Sequence, residues 1–151
     1  MIRILNVFVL ALMLFSCAEQ QQPAQKEQSI AEFELNEITV MELNDAYEGG
    51  KYTAVQVTEL YISRIEALNK KGPHLNAVIA INPDALAIAA ALDAERAATG
   101  PRSPMHGIPV LLKDNIDTKD NMPTTAGSIA LIGNYAVADA PMVASLRAAG
   151  A

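Results

Sequence analysis

Two short apolar runs, Ala77–Ile81 and Val110–Leu112, bracket one Ala- and Leu-rich stretch with helix punctuation at both ends. This arrangement limits the fold more than anything else in the chain. Runs of three to five apolar residues are too short for helices and suit buried strands. Between them Asn82 reads as an N-cap, with Pro83 at the first helical position and Asp84 in the first turn. The helix is expected to run to about Thr99, where Gly100-Pro101 closes it. Strand–helix–strand order argues an α/β fold.

Helices come first. Thr39-Val40-Met41-Glu42 is a capping box, with a Thr side chain for the N3 amide and a Glu reaching back. Val40, Leu43 and Tyr47 then share a face, and Gly49-Gly50 is the stop. Thr53 with Gln56 repeats the device. Val57, Leu60, Tyr61, Ile65 and Leu68 form an apolar stripe to about Asn69, before Gly72-Pro73. These two helices read as scaffold. Asn115 to Thr125 reads as polar loop, Gly127–Ile132 as a short helix and Pro141–Ala149 as a longer one. No internal repeat and no glycine-rich phosphate loop occurs in the sequence.

The first sixteen residues have another purpose. Arg3 precedes an apolar stretch, Ile4 to Phe15, interrupted only by Asn6. As a helix it spans about 18 Å, short of a bilayer core of roughly 30 Å, so it reads as a secretory signal. Leu14-Phe15-Ser16-Cys17 resembles a bacterial lipobox, which implies lipidation of Cys17 and anchoring to a lipid membrane. The alternative is an ordinary signal with an incidental cysteine. Gln-rich residues 17–29 then form a flexible tether, and residues 30–151 the folded body. The lipobox resemblance implies a cell-envelope location; if the envelope is Gram-negative, Ala18, where Asp would favour inner-membrane retention, implies the periplasmic side of the outer membrane.

Composition narrows the partners. A formal charge of −6, with no cluster of Lys or Arg, argues against nucleic acid. One cysteine cannot form an internal disulfide, and no Cys/His spacing suggests a metal site. His74 and His106 both lie beside turn signals and read as plain turn or surface residues.

Chemistry concentrates in His106–Ser128, HGIPVLLKDNIDTKDNMPTTAGS, where an apolar strand ends on Lys113. One reading is a lysine whose stem is buried and whose ammonium reaches water. The other is a base. A lysine base must be neutral, against an ordinary pKa of about 10.4, and burial can lower that by about 3–5 units. A drop of 3 units costs roughly 4 kcal/mol. Strand alternation turns Asp114 away from Lys113 and puts Asn115 on its side. Asp114 is therefore expected to bond amides of the 115–127 loop. Thr124, Thr125 and Ser128 are expected to cap the helix near Gly127.

The run from His106 through Lys113 to Ile116, followed by Pro123-Thr-Thr-Ala-Gly-Ser128 and by Asp139 to Ala151, resembles the amidase signature family, in its peptide-amidase and general-amidase branch. The resemblance covers Ile38 to Ala151. It implies the first strands and helices of a mixed sheet and hydrolysis of C–N amide bonds by a Ser-cisSer-Lys triad. Lys113 matches the lysine of that triad, which deprotonates a bridging serine and so activates the nucleophile. It implies a small-molecule or peptide amide as substrate, with no cofactor. Both triad serines lie in a Gly/Ser-rich stretch absent from this sequence, and neither Ser128 nor Ser145 fits that pattern. The expectation is thus an incomplete amidase domain, inactive by itself. A non-catalytic envelope lipoprotein that uses the scaffold for binding or structure is the alternative. An amidotransferase acting on charged tRNA is disfavoured by the export signal and the acidic charge.

Overall fold

The computed structural model describes residues 33–151. The signal and tether expectations, Cys17 included, fall outside the described residues. Residues 33–36 form a turn closed by the Asn36 N–H on the Phe33 carbonyl at 2.9 Å. Residues 37–151 form a separate compact unit.

That unit contains four α-helices among the described residues: α1 (Val40–Glu48), α2 (Ala54–Ile65), α3 (Ala85–Thr99) and α4 (Pro141–Ala149). Both capping boxes form as the sequence dictates, Thr39 with Glu42 and Thr53 with Gln56. Each satisfies two amides that the helix cannot. Leu43 and Tyr47 of α1 and Val57 of α2 are buried, as are Ala89 and Leu92 of α3 and Val143 of α4. Burying each of the larger aliphatic side chains contributes about 1.5–3 kcal/mol. α2 packs against α3, and Asp93 of α3 reinforces the join. Its carboxylate accepts the Ala54 and Val55 amides at 2.7 and 3.1 Å. A negative charge is thereby set against the positive end of the α2 dipole.

α2 continues into a five-residue π-helix, Glu66–Lys70, that buries Asn69. The Asn69 side chain donates to the Val78 carbonyl at 2.8 Å and accepts its N–H at 2.9 Å. A side-chain amide thus occupies both backbone groups that a neighbouring strand would use.

Three expectations are corrected. No strand forms among the described residues. No backbone–backbone bond joins 77–81 or 110–112 to another described segment, and Ile79, Ile81, Val110 and Leu111 are exposed. The apolar content is that of strands, but a strand exists only where its N–H and C=O groups meet a partner. Second, α3 begins at Ala85, because Asn82 makes a preceding turn: its side chain takes the Asp84 N–H and its carbonyl the Ala85 N–H. Third, the helix expected over 127–132 is a single 3-10 turn, Ile129–Leu131, with no side-chain cap from Ser128.

Candidate active site

The segment that carries Lys113 leaves the helical unit through a tightly held residue pair. Gly107 donates to the Gly150 carbonyl at 2.7 Å and its own carbonyl accepts the Tyr47 hydroxyl at 2.8 Å. Its φ of +79° suits glycine, and a Cβ there would meet the Ala54 Cβ at 3.0 Å. The Arg96 guanidinium lies over the Tyr47 ring, 4.8 Å from its centroid, and donates to the His106 carbonyl at 2.7 Å. Burial pushes the Tyr47 phenol above its ordinary range despite the nearby arginine. The hydroxyl therefore stays a donor throughout neutral pH.

His106 lies in a turn, as expected, its N–H on the Ser103 carbonyl at 3.0 Å, but it is fully buried, which overturns its reading as a surface residue. Its ring lies between the Leu92 carbonyl and the Arg102 amide. His74 is exposed, as expected.

Beyond Ile108 the chain turns outward, and Lys113 is exposed. No ion pair or serine hydroxyl engages it among the described residues. Ser145 donates to the Pro141 carbonyl at 3.0 Å within its own helix, so it is occupied structurally. Asp114 bonds the loop as expected, though from a turn and not from a strand. Its carboxylate accepts the Thr125 hydroxyl and the Thr125 and Gly127 amides, the latter two at 3.2 Å each. Thr125 is thus tied to Asp114 rather than capping a helix, and Thr124 exchanges bonds with Asn134. The far end of the loop is fixed by Asp139, which accepts the Lys119 amide and pairs with Arg147; Arg147 also pairs with Asp120 at 2.8 Å.

The Thr125 hydroxyl, with the Thr125 and Gly127 amides, holds the Asp114 carboxyl below the usual carboxylate range. A depressed pKa adds stability above the ordinary value, and that stability is lost as pH falls through the folded one. The 114–127 turn is therefore expected to loosen below about pH 4, the ordinary aspartate value being about 3.9. Faster exchange of the Thr125 and Gly127 amides on acidification, reproduced at neutral pH by Asp114→Asn, is the expected result. Unchanged protection in both cases contradicts it.

The sequence reading missed His106, Asp93, Arg96 and Arg147. For two of them a signal was present: Ala89, Leu92, Asp93 and Arg96 fall on one helical face, so the charged pair lies on the buried side of α3. His106 has no such signal, because its burial depends on Leu92 of α3 and Gly150 of α4 as well as on the neighbouring Arg102 amide.

Comparison with known proteins agrees with this geometry. Residues 56–151 match the family model described as Amidase. A Schizosaccharomyces pombe protein that carries the name amidase is 44% identical over 117 residues, covering 78% of this chain and 20% of that protein. A glutamyl-tRNA(Gln) amidotransferase chain of Chloroflexus aurantiacus is 40% identical over 119 residues, covering 78% of this chain and 24% of its own. Native peptide amidase from Stenotrophomonas maltophilia superposes with a TM-score of 0.75 at 46% identity, over 78% of this chain and 24% of that one. The chain therefore spans between a fifth and a quarter of the length of these relatives. With the Lys113 motif, the 114–127 turn and α4 all inside the matched region, the chain belongs to the amidase family.

Proposed function

We propose that these residues serve as the N-terminal part of an enzyme that hydrolyses C–N amide bonds in peptides or small molecules by a Ser-cisSer-Lys mechanism. Lys113 is the base. It takes the proton of the bridging serine, that serine takes the proton of the nucleophile, and water later releases the acyl group. Both serines, and the amides that stabilise the oxyanion, come from sequence outside this chain. The supporting observation is Lys113 at the outer end of a segment fixed at Gly107 and followed by the Asp114–Thr125 clamp. The exposed runs 77–81 and 110–112 take strand positions once backbone partners meet them, and the apolar cover that a neutral lysine requires comes with those partners. The higher identity to peptide amidase than to the amidotransferase favours a peptide or simple amide as substrate.

The experiment is an enzyme in which residues 33–151 replace the matching quarter of the Stenotrophomonas peptide amidase. It is expected to release ammonia from a primary peptide amide, whereas the 151-residue chain alone releases none. Turnover by the chain alone, or none by a well-folded hybrid, overturns the reading.

Anchoring of Cys17 to a membrane, facing the periplasm, belongs to the same proposal. Expression with a labelled fatty acid is expected to label the wild type and to leave Cys17→Ser unlabelled and in the soluble fraction. Equal partitioning of both contradicts it. Among the described residues no helix is long and apolar enough to cross a membrane.

A further inference from the structure

His106 has no task in the mechanism above, yet it is 0% exposed and every polar atom it carries is engaged. Nδ1 faces the Arg102 N–H at 3.2 Å. An amide can only donate, so Nδ1 carries no proton. Nε2 lies 2.9 Å from the Leu92 carbonyl. A carbonyl can only accept, so Nε2 carries the proton. Only the neutral Nε2–H tautomer meets both demands. The histidine's own N–H donates to the Ser103 carbonyl at 3.0 Å, and its carbonyl accepts from Arg96. The end of α4 lies against the ring: a Cβ on Gly150 would stand 2.7 Å from Nδ1. One imidazole therefore joins α3, the 100–105 loop and the α4 terminus.

The segment that leaves this junction has few other restraints. Gly107 is held by Gly150 and Tyr47, and Ile108 by the Met105 carbonyl. Residues 109–112 make no backbone bond to another described segment, and the next one is at Lys113, whose carbonyl accepts the Ile116 N–H.

We propose that His106 is a positioning residue for Lys113: its neutral ring fixes where the 107–113 segment leaves the helices, and protonating the ring or removing it frees that segment. Protonation would put an Nδ1–H against the Arg102 N–H. It would also add a positive charge beside a crowded set of groups. From α3 these are the Arg96 guanidinium, the Glu95 carboxylate that pairs with Arg102, and Asp93, which is committed to the α2 amides. The loop contributes Arg102, α4 contributes Arg147, held by Asp120 and Asp139, and α1 contributes the Tyr47 phenol. The proposal rests on the reading of Lys113 as the base.

The test uses the full chain labelled with 15N, together with His106→Leu and His106→Asn. Asn keeps an acceptor for the Arg102 N–H but does not reach Leu92. In the wild type the ring nitrogens should report a protonated Nε2 and a bare Nδ1, and residues 108–113 should show order parameters near 0.85, the value of rigid backbone. In His106→Leu those residues should fall below about 0.6, with α1–α4 retaining their amide protection, and Asn should fall between. Acidifying the wild type should cause the same local loss in step with ring protonation. The proposal is overturned if 108–113 are already mobile in the wild type, or stay ordered in His106→Leu. It is equally overturned if the helices lose protection together with the segment, for then the ring holds the helical unit and not the lysine. None of these measurements involves turnover, so failure here is separable from failure of the catalytic assignment.

Discussion

Gly150→Ala is expected to lower the stability of the folded unit by about 2–5 kcal/mol, combining overpacking of about 1–3 kcal/mol with about 1–2 kcal/mol for a left-handed alanine. Gly150 ends α4 in a Schellman motif: its N–H reaches the Arg147 carbonyl and the Ala151 N–H the Leu146 carbonyl, both at 3.0 Å, with φ +94°. A Cβ there would lie 2.7 Å from the His106 Nδ1 and 3.0 Å from its Cα. Neither can give way easily, because the ring is hydrogen-bonded on both nitrogens and the backbone on both sides. The same displacement would break the bond from Gly107 to the Gly150 carbonyl. Gly133→Ala supplies the control. Its φ is +80°, but a Cβ there meets nothing within 4 Å, so only the backbone cost of about 1–2 kcal/mol remains. Denaturant unfolding followed by circular dichroism measures both. Equal losses for the two variants would mean that the contact with His106 carries no weight.

The parts of this fold that were legible in the sequence are those governed by neighbours in the chain. Thr39 with Glu42 and Thr53 with Gln56 cap their helices because the interacting groups are three residues apart and need nothing else. Asp114 bonds Thr125 and Gly127 as expected, although it sits in a turn rather than at the end of a strand. Pro141 opens α4 and Gly100 closes α3 for equally local reasons.

What escaped the sequence depends on which of several possible partners a group takes, distant or near. Ala77–Ile81 and Val110–Leu112 have the composition of strands, but composition does not supply a ladder, and at Val78 the partner is the side chain of Asn69. Asn82 is a good capping residue, yet it spends its side chain on a turn and the helix starts three residues later. His106 is ordinary by spacing. Its burial follows from Leu92, Arg102 and Gly150 converging on one ring. Lys113 was singled out as the end of a buried strand, whereas among the described residues it stands exposed. The proposed role as a base would need an apolar environment that Val110 and Leu111, exposed here, do not provide by themselves.

Replacing that lysine is therefore the largest effect expected on activity. Loss of a general base costs about 10²–10⁴-fold, and members of a triad that act as a unit reach the upper end or beyond. Lys113→Ala in the hybrid peptide amidase should reduce kcat by on the order of 10³-fold or more, equivalent to at least about 4 kcal/mol of barrier. Asp114→Asn, which loosens the following turn but leaves the amine in place, should cost far less. Ammonia release from a peptide amide by the Lys113 and Lys113→Ala enzymes, side by side at matched folding, is the most direct measurement. The account predicts turnover with the lysine and only background without it. An alanine enzyme within a few-fold of its parent would contradict the assignment of Lys113 as the base.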